Sequence, residues 1–207
     1  MTEPGTRALL VPWSAMTLLS CVIALYAALV LFVPHFGPPF VDARRAAMPL
    51  AVIAHLTGGA TALFTGAFQL NPRIRARFVN VHRWMGRTYV VAVVVGASGA
   101  LWLAPRSMEG AVTHVGFGML AVLWLGTTLR AYAAITRGDR ATHRRWMIRS
   151  YALTFAAVTL RIILPAELAA GVPFHDAYQV VAWACWVPNL IVAEWLFLRP
   201  RQREATS

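Results

Sequence analysis

Four of the six histidines in this sequence lie in or beside long apolar runs: His55, His82, His114 and His143. An ionisable side chain inside a membrane span is energetically expensive, so its presence there favours a functional role. A neutral imidazole can bind a metal ion, and two imidazoles on facing helices can hold a haem iron between them. The alternatives are a hydrogen bond between helices for His55 and His114, and ordinary solvation among lipid headgroups for His82 and His143.

Two of these histidines open related motifs. The motifs are His82-Arg83-Trp84-Met85-Gly86-Arg87-Thr88-Tyr89 and His143-Arg144-Arg145-Trp146-Met147-Ile148-Arg149-Ser150-Tyr151. An earlier histidine precedes each motif, at His55 and at His114. When the Arg-Trp-Met cores are aligned, His143 falls one residue out of step with His82. We interpret the pattern as an imperfect repeat of two helix pairs.

The composition predicts an integral membrane protein. Hydrophobic residues make up 58% of the chain, charged residues make up 13%, and the mean hydropathy is +0.59. The formal charge of +11 comes from 19 basic residues, all arginine, against 8 acidic ones. Because the arginines lie between apolar runs, we expect them to set membrane topology, and we expect no nucleic acid partner. Cys21 and Cys185 lie in separate apolar runs, which indicates inert buried thiols.

Six runs are long enough to cross a bilayer, which takes about 20 apolar residues. We predict an all-α, six-helix membrane bundle that forms one transmembrane domain over residues 1–207. The predicted helices are 11–33, 48–70, 81–104, 111–132, 145–164 and 177–198. Asn80 is a candidate N-cap for the third helix, and Gly138, Asp139 and Thr142 supply stop and cap signals before the fifth. Pro165 is expected to end the fifth helix, and residues 200–207 are expected to be a disordered tail.

Arginine counts predict the topology. One side of the bundle receives both termini, the loops at 71–80 and 133–142, and most of the arginines. The other side carries only Arg44, Arg45 and Arg106. The positive-inside rule therefore places both termini in the cytoplasm.

The topology sorts the histidines into two pairs. His55 and His114 fall near the outer ends of helices 2 and 4, whereas His82 and His143 open helices 3 and 5 on the inner side. Each pair is a candidate site for one b-type haem, with its two histidines as the iron ligands, so we expect one or two haems.

Glycines follow three of these histidines at a spacing of four residues, which places each on the same helix face as its histidine. They are Gly59, Gly118 and Gly86. A glycine beside an imidazole leaves a flat notch in which a planar macrocycle could rest, although close helix packing is the alternative. Met147 stands at the equivalent position after His143.

Arginines near the two pairs could neutralise haem propionates or another anion. Arg87 and Arg149 lie by the inner pair, and Arg161 lies late in helix 5, towards the level of the outer pair. The alternatives are topology and anionic lipid contact for the first two, and snorkelling for Arg161. Glu194 is expected to pair with Arg130 or Arg149.

The motif at 82–89, together with the segment at 145–161, resembles an uncharacterised bacterial family of membrane proteins labelled domain of unknown function 2306. The likeness runs from about His55 to Glu194 and implies a location in the bacterial inner membrane. The chain also resembles, more weakly, the ascorbate-reducible transmembrane di-haem cytochromes b. Those proteins have six helices, with haem-binding histidines on helices 2 and 4 and on helices 3 and 5.

The leading hypothesis is a multi-pass electron-transfer protein that binds b-type haem between helices 2/4 and 3/5. The sequence leaves open whether this protein is also a transmembrane oxidoreductase. Its expected partners are membrane lipids and a quinone or a redox partner protein. The alternative is a haem-free protein: a carrier for a small solute or lipid, or a structural subunit. A carrier requires a polar cavity that reaches one membrane face. No nucleophile–base pair, phosphate loop or carboxylate pair indicates hydrolysis.

Overall fold

The computed structural model describes the backbone of residues 4–198 and the side chains of residues 13–71, 74–196 and 198. This part of the chain is helical and contains no β-strand. Six helical segments in it are long and apolar enough to cross a membrane, and we number them spans 1–6. They are Trp13–Phe32, Pro49–Gln69, Val79–Arg106, Ala111–Thr136, Arg140–Ala169 and Phe174–Leu196. The predicted fold class, an all-α membrane bundle with six spans, is confirmed.

Several spans consist of more than one helix, and two short helices lie outside the spans. The described helices are Pro4–Phe32, Pro39–Ala47, Pro49–Gln69, Pro72–Arg77, Val79–Leu103, Ala104–Arg106 (3₁₀), Ala111–Thr136, Arg140–Thr154, Ala156–Ala169, Phe174–Ala184, Val187–Val192 and Ala193–Leu198 (π-helical). The short helices at Pro39–Ala47 and Pro72–Arg77 stand where the sequence predicts only connections.

Two predicted helix boundaries are wrong. Pro165 lies inside the helix Ala156–Ala169 and does not end it. Proline has no N–H to give to the carbonyl of Arg161, but a membrane helix tolerates one such loss when its neighbours support it. Asn80 is not a cap either, because the helix already begins at Val79. The predicted tail at 200–207 lies outside the described residues.

The predicted cap of span 5 is present. The Asp139 carboxylate accepts a hydrogen bond of 2.9 Å from the backbone N–H of Thr142. This bond satisfies one of the N–H groups that the first helical turn leaves without a partner. Gly138 precedes the cap with φ of 79°, a left-handed conformation that glycine adopts without strain.

Span 6 is interrupted at Cys185 and Trp186, and the sequence explains why. Pro188 stands near the start of the helix Val187–Val192 and cannot donate a hydrogen bond to the carbonyl of Ala184. The first helix therefore ends at Ala184, and a new one begins at Val187. Further along, the span widens into π-helical turns that carry Glu194.

Small residues allow spans 2 and 3 to pack closely. A Cβ atom added to Gly58 would overlap the backbone of Gly96, and one added to Gly99 would lie 2.6 Å from the Ala51 carbonyl oxygen. Close backbone approach through small residues is a general basis of helix association in membranes. Span 2 also packs on span 1, and span 4 packs on spans 3, 5 and 6.

Buried hydroxyl groups join spans 3, 4 and 5 at the centre of the bundle. The Tyr89 hydroxyl lies 2.7 Å from both Ser150 Oγ and Thr154 Oγ1. The indole N–H of Trp124 donates to Thr154 Oγ1, and Thr128 Oγ1 lies 2.6 Å from Ser150 Oγ. All five side chains are buried. Because lipid offers these groups no partner, the network fixes how the three spans sit against one another.

Candidate functional site

The inner pair of histidines lies at one level of the bundle. His82 precedes Tyr89 by seven residues, and His143 precedes Ser150 by seven. Seven residues are close to two helical turns, so each histidine lies on the same helix face as the hydroxyl residue that follows it. Tyr89 and Ser150 are hydrogen-bonded to each other. The two histidines therefore both sit about 10 Å further towards the same end of the bundle.

Electrostatics agrees with this placement, because His82 and His143 are close enough for their charges to interact. The end of the bundle at which spans 3 and 5 begin is called the basic end below. Of the two pairs that the sequence singled out, the structure brings together the one at the basic end.

The ring of His143 is held in a defined tautomer. Its Nδ1–H donates a hydrogen bond of 2.9 Å to the carbonyl of Ala131 on span 4. The lone pair of this ring is therefore on Nε2, which is left for a ligand. Fixing a ligating imidazole through its other nitrogen is the usual arrangement in metal proteins.

The ring of His82 has a polar atom without a partner. Its Nδ1 is buried and makes no hydrogen bond to any group that the structure describes. A buried polar atom without a partner is energetically unfavourable, and it often marks a place where a water molecule, an ion or a ligand binds.

Two further polar residues lie in the neighbourhood of His82 and Gly86, and the sequence motifs pointed to neither. Gln69 is 7% exposed, and its Nε2 also lacks a partner among the described groups. Its Oε1 is the nearest atom to a Cβ added to Gly86, at 3.7 Å, so the notch predicted beside His82 is open. Arg75 lies within electrostatic range of His82. Gln69 falls at the end of the predicted second helix and Arg75 falls in the loop that follows it, so neither stood out in the sequence.

The outer pair is not brought together. The ring of His55 donates through Nδ1 to the Gly96 carbonyl of span 3, at 3.2 Å, whereas His114 donates through Nε2 to the Ser107 carbonyl, at 3.0 Å. Gly118, one turn after His114, is level with Ala104. Gly96 and Ala104 are eight residues apart, so the two histidines differ in depth by roughly 12 Å or more.

Other groups occupy the space beside His55. The Trp124 ring of span 4 lies against Gly96, at the depth where a second imidazole would be needed. Both outer histidines therefore donate hydrogen bonds to backbone carbonyls. For His55 this is the bond between helices that the sequence left open, whereas the acceptor of His114, Ser107, lies in the connection between spans 3 and 4. Gly59 has open space beside it, and a Cβ on Gly118 would make only an ordinary contact at 3.8 Å.

The arginines expected near the haems have other partners. Arg149 forms a two-point ion pair with Glu194, with Nη2 2.9 Å from Oε2, and its guanidinium lies over the Trp146 ring. The expected pairing of Glu194 is thus confirmed for Arg149. Arg161 donates to the Ala157 carbonyl at 2.9 Å and lies over the Tyr26 ring. It is also within electrostatic range of His55.

Arg87 is placed differently. Its guanidinium lies 5.1 Å from the centre of the Trp84 ring, and the two side chains line an open cleft of about 430 Å³ between spans 2 and 3. A second open cleft, of about 400 Å³, is lined by Thr142, Arg145, Trp146 and Arg149.

The centre of the bundle is tightly packed with side chains. Tyr89, Trp124 and Thr154 fill it with side chains that are at most 6% exposed and hydrogen-bonded to one another. Both clefts described above open at the surface of the bundle. Within the described part of the chain, no three His, Cys, Asp or Glu side chains group as they would around a metal ion. A site made by two histidines alone is compatible with that finding.

Comparison with known proteins gives one family match. A family model described as "Predicted membrane protein (DUF2306)" matches residues 52–197, which include both motifs and all four histidines discussed above. No curated protein and no solved structure matches the chain. Since the family model covers more than half of the sequence, the chain belongs to the membrane protein family DUF2306.

Proposed function

We propose that the protein is a membrane redox protein that holds one b-type haem at the basic end of the bundle, between His82 and His143. The observation that supports the proposal is that both imidazoles lie near the beginnings of spans 3 and 5, within electrostatic range of each other. The tautomer of His143 leaves Nε2 for the iron. The buried ring nitrogen of His82 and the buried amide of Gln69 supply polar atoms that lack partners.

The residues around the pair fit such a group. Gly86 leaves room beside His82, and Arg75 supplies a positive charge for a propionate. When bound, the haem would supply one-electron chemistry. The protein's part would be to hold the two imidazoles through bonds such as that of His143 to Ala131, and to keep one edge of the site near the membrane surface. A quinone or a redox partner protein is the proposed electron donor or acceptor. The proposal places the basic end in the cytoplasm of a bacterium, by the positive-inside rule.

The proposal is limited to one haem. Two imidazoles would have to lie at a common level to hold one haem, whereas His55 and His114 differ in depth. Of the two haem sites that the resemblance to di-haem cytochromes b implies, we propose the inner one alone.

The test is a dithionite-reduced minus oxidised absorbance spectrum of the purified protein, expressed with ample haem. We expect b-type bands that His82→Ala and His143→Ala each abolish, because one iron needs both ligands. His55→Ala and His114→Ala are the matched controls, since each removes a membrane histidine but leaves the inner pair intact. Circular dichroism and gel filtration establish that each variant is folded.

Two results would overturn the proposal. A spectrum without b-type bands in the folded wild-type protein would exclude haem binding. Bands that persist in His82→Ala and His143→Ala but disappear in His114→Ala would place the haem at the other end of the bundle.

A further inference from the structure

The two motifs build the same local unit twice. When their Arg-Trp-Met cores are aligned, Trp84 corresponds to Trp146 and Arg87 corresponds to Arg149. In each unit the arginine lies over the tryptophan ring, at 5.1 Å in the first and 4.6 Å in the second. Each unit also borders an open cleft. A cation held over an aromatic ring keeps its N–H groups available for an anion.

The units differ in what neutralises the arginine. In the second unit, Glu194 of span 6 binds Arg149 through both carboxylate oxygens. In the first unit, no carboxylate among the described residues pairs with Arg87, and no acidic residue lines its cleft. Trp84 and Arg87 are both exposed, so an anion from outside the described part of the chain can reach the guanidinium.

The cleft beside Arg87 has the shape and depth of a lipid site. It is lined along its length by Trp84, Arg87, Val91 and Val95 of span 3 and by Thr57 and Thr61 of span 2. From Trp84 to Val95 is eleven residues, or about 16 Å along the helix, which is close to half of a bilayer core of about 30 Å. Its charged end lies at the basic end of the bundle, where span 3 begins, and its apolar part lies towards the middle of the membrane.

We propose that Arg87 and Trp84 bind the phosphate of an anionic phospholipid, with an acyl chain lying in the cleft between spans 2 and 3. The guanidinium fork matches phosphate oxygens as it matches the Glu194 carboxylate in the second unit. Val91 and Val95 contact the acyl chain of the lipid. The indole of Trp84 is 67% exposed and lies at the headgroup boundary, where tryptophan is favoured. This site is independent of haem binding.

The test is native mass spectrometry of the full chain in detergent, with dioleoylphosphatidylglycerol or dioleoylphosphatidylcholine added. We expect the anionic lipid to bind more tightly, and Arg87→Gln to weaken its binding about tenfold, as expected for a lost charge-assisted pair. Arg83→Gln is the matched control, because it removes an exposed arginine of the same motif that does not line the cleft. Arg83→Gln should weaken the binding of the anionic lipid by about threefold at most.

A second variant tests the acyl part of the site. Val95→Trp fills the far end of the cleft from a position that faces lipid, so the protein should fold and bind both lipids less tightly. Equal losses from Arg87→Gln and Arg83→Gln, or equal binding of the two lipids, would overturn the proposal. So would the appearance of protein dimers in place of lipid adducts, since the cleft would then be an interface between copies.

Discussion

Replacing Gly66 by alanine tests whether the bundle is organised around the tyrosines of the two motifs. A Cβ atom at Gly66 would lie 2.6 Å from the Tyr151 ring and 2.8 Å from the Tyr89 ring. Neither ring can move away easily. Both are buried, Tyr89 is held by Ser150 and Thr154, and the Tyr151 hydroxyl lies 2.8 Å from Ser20 Oγ of span 1. The added methyl group must therefore displace span 2 or break these bonds.

The expected magnitude follows from two opposing effects. Adding a methyl group to a well-packed core destabilises a protein by about 1–3 kcal/mol. Glycine-to-alanine replacement in a helix also contributes about 1 kcal/mol of stabilisation through backbone entropy. Gly59 lies on the same helix with open space around it. Gly59→Ala therefore gains the stabilisation from backbone entropy without the cost of overpacking the core. The free energy of unfolding of Gly66→Ala should thus be lower than that of Gly59→Ala by about 1–3 kcal/mol.

The assay is reversible unfolding in mixed micelles with increasing sodium dodecyl sulfate, followed by far-ultraviolet circular dichroism. The expected difference corresponds to an unfolding equilibrium constant that is roughly 5- to 150-fold larger for Gly66→Ala. If both variants unfold at the same detergent fraction, the close contact of Gly66 with the two tyrosine rings is refuted.

Two further predictions use the same unfolding assay. Tyr89→Phe should lower the free energy of unfolding by only about 1 kcal/mol, because Ser150 keeps Thr128 as a partner and Thr154 keeps Trp124. Tyr132→Phe is the control, since Tyr132 is exposed and its replacement should not change the free energy of unfolding. Equal unfolding of the two variants would contradict the buried network. The Thr142 backbone N–H holds the pKa of Asp139 below its usual value, so this carboxylate stabilises the folded state above a pH of about 4 and loses that contribution as the pH falls through the lowered pKa. Asp139→Asn keeps a side chain that can cap the helix but cannot titrate. This variant should therefore lose the part of the acid destabilisation that is due to Asp139. An unchanged pH dependence of the free energy of unfolding would refute the stabilising role of the Asp139 carboxylate.

The number of spans and the all-α fold class could be predicted from the sequence because a bilayer imposes them. An apolar run of about 20 residues has few options other than a spanning helix, since every backbone group must be bonded within the chain. Helix ends were less predictable. Pro165 shows this, because whether a proline ends a helix depends on neighbouring spans that supply no local signal. Pro188 interrupts the helix of span 6, as a proline usually does, but the long apolar run around it predicted one continuous helix.

The packing between spans was largely hidden for a related reason. The sequence drew attention to Gly59, Gly86 and Gly118 because each follows a histidine by one turn. The glycine contacts that bring helices together are instead made by Gly58 with Gly96 and by Gly66 with the tyrosines. Neighbouring glycines such as Gly58 and Gly59 point to different sides of a helix, and which side faces a partner depends on the arrangement of the bundle.

The site shows which kind of sequence spacing predicts a meeting of side chains. His55 and His114 were paired because each lies near the outer end of its predicted helix. Residue counts from a predicted helix boundary carry an error of several residues, and each helical turn of error shifts the depth of a side chain by about 5.4 Å. His82 and His143 have a firmer reference, because each stands seven residues before a member of the bonded Tyr89–Ser150 pair. A contact between two helices fixes the relative depth of every residue at whole-turn spacing from it. A polar pair in the core of a membrane bundle is therefore a better ruler for comparing the depths of candidate ligands than the ends of the helices that carry them.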